Sequence, residues 1–337
     1  MNLAESIHSM LPAIEAELRQ VVDRLDAPQT AQFHEMLSYH MGWSGAGAGP
    51  DTTGKRVRPL IVLLTTATCG TDWHAALPAA ASVELVHNFS LVHDDVQDHS
   101  DLRRGRPTVW KIWGIPQAIN AGDGLFVLAN QALLGLQEVY PHDVILETTA
   151  ILQKTCLDLT RGQFLDMSFE ARQAVASEEY WHMITGKTAA LLSACCQIGA
   201  LLGGADEMTR SAYQEFGHYL GLAFQVKDDY LGIWGDSIVT GKSTISDLVV
   251  GKKSLPVLLG LEKNGAFAAE WSKGRVDPSR ASQLAEMLAG EGIKLKVQET
   301  VDQCTDLALN SLRAATDENQ GDNPLYELAL SLLARDS

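Results

Sequence analysis

The sequence is poor in aromatic residues, in basic residues and in long apolar runs. Aromatic side chains make up only 7% of the 337 residues, although hydrophobic residues reach 46%. Lysine and arginine number 26 against 42 acidic residues, so the net charge is −16. This charge disfavours nucleic acid as a partner, because phosphate backbones bind basic surfaces. No stretch reaches roughly 18 uninterrupted apolar residues, so we expect no membrane-spanning segment.

Cysteine is also scarce, and its odd count disfavours a framework of disulfides. The five cysteines are Cys69, Cys156, Cys195, Cys196 and Cys304. Most lie in apolar surroundings without the spacing of a metal site, so we expect buried, reduced thiols. The N-terminal stretch lacks the basic start and apolar run of a signal peptide. Together these features predict a cytoplasmic protein.

Alanine and leucine are prominent and β-branched runs are short, which favours helices. Apolar periodicity predicts long helices at about 75–98, 115–139, 143–169, 178–203 and 207–234. Nothing alternates for long enough to build a sheet, and polar or glycine-rich breaks fall at 42–54 and 235–253. Because we find no repeat and no linker, we predict a single all-helical domain over residues 1–337.

A first aspartate motif, Asp94-Asp95-Val96-Gln97-Asp98, closes one of these helices. Residues four apart lie on one helix face, so Asp94 and Asp98 can direct two carboxylates at one cation. Magnesium prefers oxygen ligands and usually shares them with substrate phosphates. Arg103 and Arg104 follow closely and supply the positive charge that a diphosphate needs. The pattern therefore predicts a magnesium-diphosphate site.

A second aspartate motif begins at Asp228-Asp229 on another predicted helix, one turn after Gln225. Lys187 and Thr188 interrupt a further apolar helix. A lone buried lysine is costly, so we expect an anionic ligand there.

A second anion site is predicted at a helix start, where Lys55 and Arg58 stand three residues apart. That spacing on a helix would point both side chains the same way.

In combination these motifs resemble those of the trans-prenyltransferases, the E-polyprenyl diphosphate synthase family, and most resemble its bacterial geranylgeranyl diphosphate synthases. The resemblance covers about residues 15–330. The matching segments, in the order of the family, are Gly54-Lys55-Arg56-Val57-Arg58-Pro59, Glu84-Leu85-Val86-His87, the first aspartate motif, Arg103-Arg104-Gly105, Gly186-Lys187-Thr188, Phe224-Gln225, Asp228-Asp229, Gly241-Lys242 and Gly251-Lys252-Lys253. It implies an isoprenoid-synthase-type helical bundle around a central cavity.

The same resemblance implies roles for single residues. Asp94, Asp98 and Asp228 would hold Mg²⁺, three ions in all, on an allylic diphosphate, and Lys187 would join them as a catalytic residue. The further groups around this diphosphate would be Arg103, Thr188, Gln225, Lys242 and Lys252. Isopentenyl diphosphate would be held by Lys55, Arg58, His87 and Arg104. The allylic substrate would be dimethylallyl, geranyl or farnesyl diphosphate.

One residue departs from the family pattern. The second aspartate motif ends in Gly232, where the family often has a third aspartate. Asp228 is retained and Asp236 lies nearby, so we expect a working metal site.

Product length is implied by the residues before the first aspartate motif. The small Ser90 opens the space one turn below Asp94, and Phe89 would close it further down. The resemblance therefore implies geranylgeranyl diphosphate, with a farnesyl or longer product as the alternative. On an ideal helix Phe89 points about 140° away from Asp94, so the floor could instead lie at Val86, Val83 or a facing helix.

Four other functions compete with this one. A class I terpene cyclase on the same fold also ionises an allylic diphosphate, but it has no use for a second anion site at Lys55 and Arg58. A metal-dependent phosphohydrolase built on His87 and His93 would leave the second aspartate motif unexplained. A P-loop at Gly241-Lys242-Ser243-Thr244 lacks the required earlier glycine. A non-enzymatic scaffold would not need both metal motifs.

The predicted helices at about 115–139 and 143–169 are apolar on more than one face. Such faces are typical of burial by a partner as well as by the core, and with the resemblance they predict a homodimer.

Overall fold

The computed structural model describes residues 2–172, 174–235, 245–274, 276–316 and 323–334. Within these residues the regular secondary structure is helical apart from one short hairpin, which confirms the all-α prediction. Contacts divide it into two compact units. One is formed by the described parts of 1–153, 195–210 and 322–325, and the other by those of 154–194, 211–321 and 326–337. The single domain over 1–337 stays a prediction.

The first unit contains most of the N-terminal helices. They are α1 (Leu3–Val22), α2 (Ala31–His40), α3 (Pro50–Thr53), α4 (Val57–Thr68), α5 (Leu77–Gln97), α6 (Val109–Trp113) and α7 (Ile115–Leu133). Single 3₁₀ turns lie at Asp23–Leu25, Trp73–Ala76 and Leu134–Glu138. Strands β1 (Leu102–Arg103) and β2 (Arg106–Pro107) form an antiparallel hairpin, a feature too short to appear as alternation in the sequence.

Helix α5 is fixed to α1 by a buried arginine. The guanidinium of Arg56 donates to Glu15 Oε1 at 2.6 Å and to Glu84 Oε1 at 2.8 Å. It also donates to the carbonyl of Met41 at 3.3 Å. Because breaking a buried ion pair leaves an uncompensated charge, this cluster fixes α5, the helix that ends in the first aspartate motif.

The second unit contains most of the C-terminal helices. Helices α8 (His142–Ala171) and α10 (Ala190–Leu202) cross the division, each with a substantial part in both units. The others lying wholly or mainly in this unit are α9 (Ser177–Ile184), α11 (Glu207–Trp234), α12 (Ser246–Val250), α13 (Leu255–Lys263), α14 (Ala266–Trp271), α15 (Pro278–Gly290), α16 (Ile293–Ala315) and α17 (Pro324–Leu333).

A π-helical turn, Thr185–Ala189, joins α9 to α10. A side chain at Gly162 of α8 would collide with the backbone of Gly186 and Lys187, so glycine lets α8 touch this turn. Turns of this kind are rare in proteins, and those that occur often lie at functional sites.

Two helical stretches are apolar and long enough to cross a membrane by length and composition, Trp73–Gln97 and Ser177–Leu202. Of their most apolar windows, 61% and 72% are buried inside the protein. Core helices pass the same test of length and composition.

Candidate functional site

Exposure increases along one face of α5 toward its C-terminal end. Val83 is fully buried, His87 and Asp94 are half-buried, and Asp98 is exposed. Asp98 ends the helix and its N–H donates to the carbonyl of Asp94 at 2.8 Å. The carboxylates of Asp94 and Asp98 are therefore placed on one face at the accessible end of a buried helix.

Asp95, to which the sequence assigned no role, orients Arg103. Its carboxylate is 2% exposed and accepts from Arg103 Nε at 2.9 and 2.8 Å and from Nη2 at 2.7 Å. Burial raises the pKa of Asp95, against the opposing effect of Arg103. The sequence held one signal for this pair: Asp95 lies about 100° around the helix from Asp94 and so faces the protein body.

The β1–β2 hairpin orients Arg104. Both residues of its turn have positive φ, 50° at Arg104 and 73° at Gly105, as a type I′ turn requires. The Arg104 guanidinium donates to the carbonyl of Thr52 at 2.9 Å. A side chain at Gly54 would approach this guanidinium to 2.6 Å, so glycine at 54 leaves the space that Arg104 occupies.

Arg58 and His87 lie in contact, but Lys55 is not on the same helix as Arg58. Nη1 of Arg58 lies 3.2 Å from Nε2 of His87. Burial, and then the charge of Arg58, hold the pKa of His87 well below its usual range. Lys55 is exposed and precedes α4, which begins at Val57, so the spacing argument that aligned Lys55 with Arg58 was wrong.

A small pocket lies beside Arg103 and Arg104. Its lining includes His40, Thr52, Asp95, Arg103, Arg104 and Arg106. Arg106 is engaged in structure, because it donates to the carbonyls of Tyr39, Ser44 and Ala46. Arg103 and Arg104 therefore supply the charge that a ligand could meet there.

In the second unit, Asp229 is the centre of a hydrogen-bond network. It is 1% exposed, and its Oδ2 accepts from the hydroxyl of Tyr180 at 2.7 Å and from the N–H of Leu255 at 3.1 Å. Its Oδ1 accepts from Gln225 Nε2 at 3.1 Å and from Lys252 Nζ at 3.2 Å. The sequence missed Tyr180 and the role of Asp229.

This network extends to Thr188, whose hydroxyl donates to Gln225 Oε1 at 2.6 Å. The structure thus brings together Thr188, Gln225 and Lys252, and Asp228 stands next to the central residue on α11. Burial opposes the charge on Lys252, but the carboxylates of Asp229, Asp247 and Asp228 outweigh it and raise the pKa of this lysine.

Lys187 is paired within the protein, contrary to the argument that its burial requires an external anion. Its ammonium forms an ion pair with Asp166 of α8. Asp166 stands one turn after Gly162, at the contact between α8 and the π-helical turn. Lys242 and Asp236 lie outside the described residues.

The two predicted chain-length residues are oriented differently. Ser90 Oγ donates to the carbonyl of His87 at 2.8 Å. The ring of Phe89 lies edge-on to Phe126 of α7, with centroids 5.1 Å apart, and to His93 at 5.8 Å. Phe89 therefore packs toward α7.

Magnesium fits the side chains that the sequence assigned to it. Within the described ranges, no group of three His, Cys, Asp or Glu residues is arranged to hold a metal ion. Pairs of carboxylates such as Asp94 and Asp98 suit Mg²⁺ nevertheless, because this ion keeps waters and takes further oxygens from substrate phosphates.

Comparison with known proteins identifies the family. Residues 49–288 match the Polyprenyl synthetase family. The (2E,6E)-farnesyl diphosphate synthase of Mycobacterium tuberculosis is 44% identical over 274 residues, which cover 81% of this chain and 74% of that protein. A geranylgeranyl diphosphate synthase of the same organism is 42% identical over 264 residues, or 78% of this chain and 75% of that protein.

A solved structure agrees with the sequence relatives. The polyprenyl synthetase from Streptomyces coelicolor A3(2) superposes with a TM-score of 0.88 at 36% identity, over 99% of this chain and 100% of that one. The match covers the two aspartate motifs and nearly the whole all-α fold. The chain belongs to the polyprenyl synthetase family, and it is a trans-prenyltransferase.

Proposed function

We propose that this prenyltransferase uses Mg²⁺ to condense isopentenyl diphosphate with an allylic diphosphate, and that its main product is geranylgeranyl diphosphate. The observation that carries the proposal is the network of Thr188, Gln225, Asp229 and Lys252. It collects an ammonium, a hydroxyl and an amide next to Asp228, and these are groups that bind a metal-complexed diphosphate.

The allylic diphosphate is proposed to bind Mg²⁺ held by Asp94, Asp98 and Asp228. When bound, the metal ions stabilise the charge on the departing diphosphate. Lys187, Arg103, Lys242 and Lys252 add positive charge. Arg103 is oriented for this role by Asp95, and Lys187 by Asp166.

Isopentenyl diphosphate is proposed to bind at Lys55, Arg58, His87 and Arg104. Burial lowers the pKa of Arg58, whose partner His87 is held neutral by burial and by the arginine itself. A neutral imidazole can accept a hydrogen bond from the Arg58 guanidinium on one nitrogen and leave the other N–H groups of the guanidinium free to donate elsewhere. The contact of Arg58 with His87 and the hairpin turn that fixes Arg104 reduce the ordering cost of binding an anion.

The chemistry needs no side-chain nucleophile. Ionisation of the allylic substrate is followed by attack from the double bond of isopentenyl diphosphate, and loss of a proton completes the step. The departing diphosphate is the proposed base, since it is formed beside the new bond.

Farnesyl diphosphate is the second candidate product, because the M. tuberculosis relatives bear both names at nearly equal identity. The small Ser90 below Asp94 favours the longer product. We also propose that the enzyme acts as a homodimer, because apolar side chains on and near α7 are exposed, among them Val127 at 54% and Leu134 at 60%.

One experiment tests the function and the product together. Purified protein is incubated with Mg²⁺, labelled isopentenyl diphosphate and each of dimethylallyl, geranyl and farnesyl diphosphate, and the dephosphorylated products are sized. We expect a twenty-carbon product from all three primers, and none when the metal is chelated. Cyclic hydrocarbons formed without consumption of isopentenyl diphosphate would instead indicate a terpene cyclase.

A further inference from the structure

Gly232 stands four residues after Asp228, so a side chain at 232 would share the face of α11 that carries Asp228. This is the spacing that joins Asp94 to Asp98 on α5. The space that a side chain at 232 would fill is occupied by Asp247. A Cβ built on Gly232 would lie 2.6 Å from Oδ2 and 3.0 Å from Oδ1 of Asp247. The carboxylate of Asp247, from the first turn of α12, thus lies where a side chain of residue 232 would be.

Asp229 is poorly suited to serve as the second carboxylate beside Asp228. A carboxylate offers about four lone-pair sites, and Asp229 already accepts from Tyr180, Leu255, Gln225 and Lys252. Two of these donors come from the scaffold and hold the group in place. Binding a metal there would require breaking at least one of these buried hydrogen bonds, which is costly.

Asp247 is held less tightly than Asp229 by the ammonium they share. Lys252 Nζ lies 3.6 Å from Asp247 Oδ2 and 3.2 Å from Asp229 Oδ1. The side chain of Asp247 is 16% exposed, against 1% for that of Asp229. Of these two carboxylates, the accessible one is therefore Asp247.

We propose that Asp247 supplies the second carboxylate of the Asp228 metal site, and so replaces in space the side chain that Gly232 lacks. The inference rests on the proposed magnesium-diphosphate function and names a metal ligand for it on α12. The site then requires glycine at 232, because any larger residue there would displace the Asp247 carboxylate.

The test is an exchange of the aspartate between the two positions. We expect Asp247→Asn to raise the Mg²⁺ concentration needed for half-maximal binding of inorganic diphosphate by about tenfold, equivalent to one lost ligand of modest strength. Gly232→Asp introduced together with Asp247→Gly should restore it to within about threefold of the natural protein. Asp306→Asn, which removes an exposed aspartate of α16, is the control. Binding is measured by calorimetry and folding by circular dichroism.

Two results would overturn the inference. One is a folded Asp247→Asn variant that needs the same Mg²⁺ concentration as the natural protein for half-maximal binding of inorganic diphosphate. The other is an equal loss in Asp247→Gly with and without Gly232→Asp, which would mean that Asp247 acts only through packing or through Lys252.

If the single variants do not fold, crystals of the natural protein with Mn²⁺ and inorganic diphosphate decide the matter. An Asp247 oxygen in the coordination shell of the ion supports the inference, and a shell containing Asp229 instead excludes it. Failure of the proposed function is separate, because it would appear as absent prenyl transfer by the natural protein.

Discussion

Asp94 and Asp98 repel each other at the accessible end of α5 unless a cation neutralises them. Asp94→Ala or Asp98→Ala should therefore lower turnover by at least about a hundredfold without lowering stability. Turnover is measured at saturating Mg²⁺ and stability by thermal melting. Asp101→Ala, an exposed aspartate just beyond the motif, is the control. Near-natural turnover in both variants would remove the metal from this position.

The basic residues should separate the two substrates. His87→Ala leaves Arg58 without its partner at 3.2 Å, so the KM for isopentenyl diphosphate should rise about tenfold and that for the allylic substrate little. Lys187→Ala should do the reverse. Both constants come from initial rates with one substrate varied. Equal effects of the two variants on both constants would mean that the sites are wrongly assigned.

The sequence predicted the accessible aspartates of the two motifs better than the buried aspartates that orient neighbouring side chains. Asp94 and Asp98 follow from helical spacing alone. Asp95 and Asp229 also stand in the motifs, but their use as hydrogen-bond acceptors depends on Arg103, Tyr180 and Lys252, which approach from other elements. Asp166 could not be paired with Lys187 from sequence, because the contact depends on the crossing at Gly162.

At the scale of elements, helical periodicity predicted the long helices to within a few residues. It predicted 207–234, and α11 is Glu207–Trp234. Periodicity did not predict the π-helical turn at Thr185–Ala189, since one extra residue in a turn leaves the apolar pattern nearly unchanged. It also placed the start of α4 too early for Lys55, because Arg56 adopts φ 49° and the helix begins after it.

The packing of α5 on α7 gives a prediction for product length. Phe89 lies edge-on to Phe126, so the two rings should act together as a floor. Phe89→Ala and Phe126→Ala should each lengthen the product, and Ser90→Phe should shorten it toward farnesyl diphosphate. Val127→Ala, an exposed neighbour on α7, is the control. Unchanged product lengths in all three variants would place the floor at Val86, Val83 or elsewhere.

The stability of the whole molecule should fall as the solution is acidified below pH 6.5, which is the ordinary pKa of histidine. The pKa values of His40 and His87 lie well below 6.5, first because of burial and then because of neighbouring arginines. Above pH 6.5 both rings are neutral in the folded and unfolded states. Below it, the unfolded chain binds protons that the folded protein does not, so the free energy of unfolding decreases.

Each such histidine should cost up to about 1.4 kcal/mol per pH unit within this window. Thermal melting of the substrate-free protein between pH 7.5 and 5.5 measures the slope. His87→Gln and His40→Gln should each flatten it, whereas His8→Gln, on the exposed face of α1, should not. A slope unchanged in both buried-histidine variants would contradict the assignment.

Exposed apolar side chains on α7 and beside it give the last prediction. Ile119 is 43% exposed, Val127 54% and Leu134 60%. Several large apolar side chains exposed on one helix and the turn after it are typical of a subunit interface. We expect a homodimer at micromolar concentration by size exclusion with light scattering.

Val127→Asp combined with Leu134→Asp should shift the protein to monomer, because two charges would be desolvated at the interface. Leu295→Asp alters a side chain of α16 that is 64% exposed and should leave the dimer intact. A natural protein that elutes as a monomer at this concentration would contradict the homodimer.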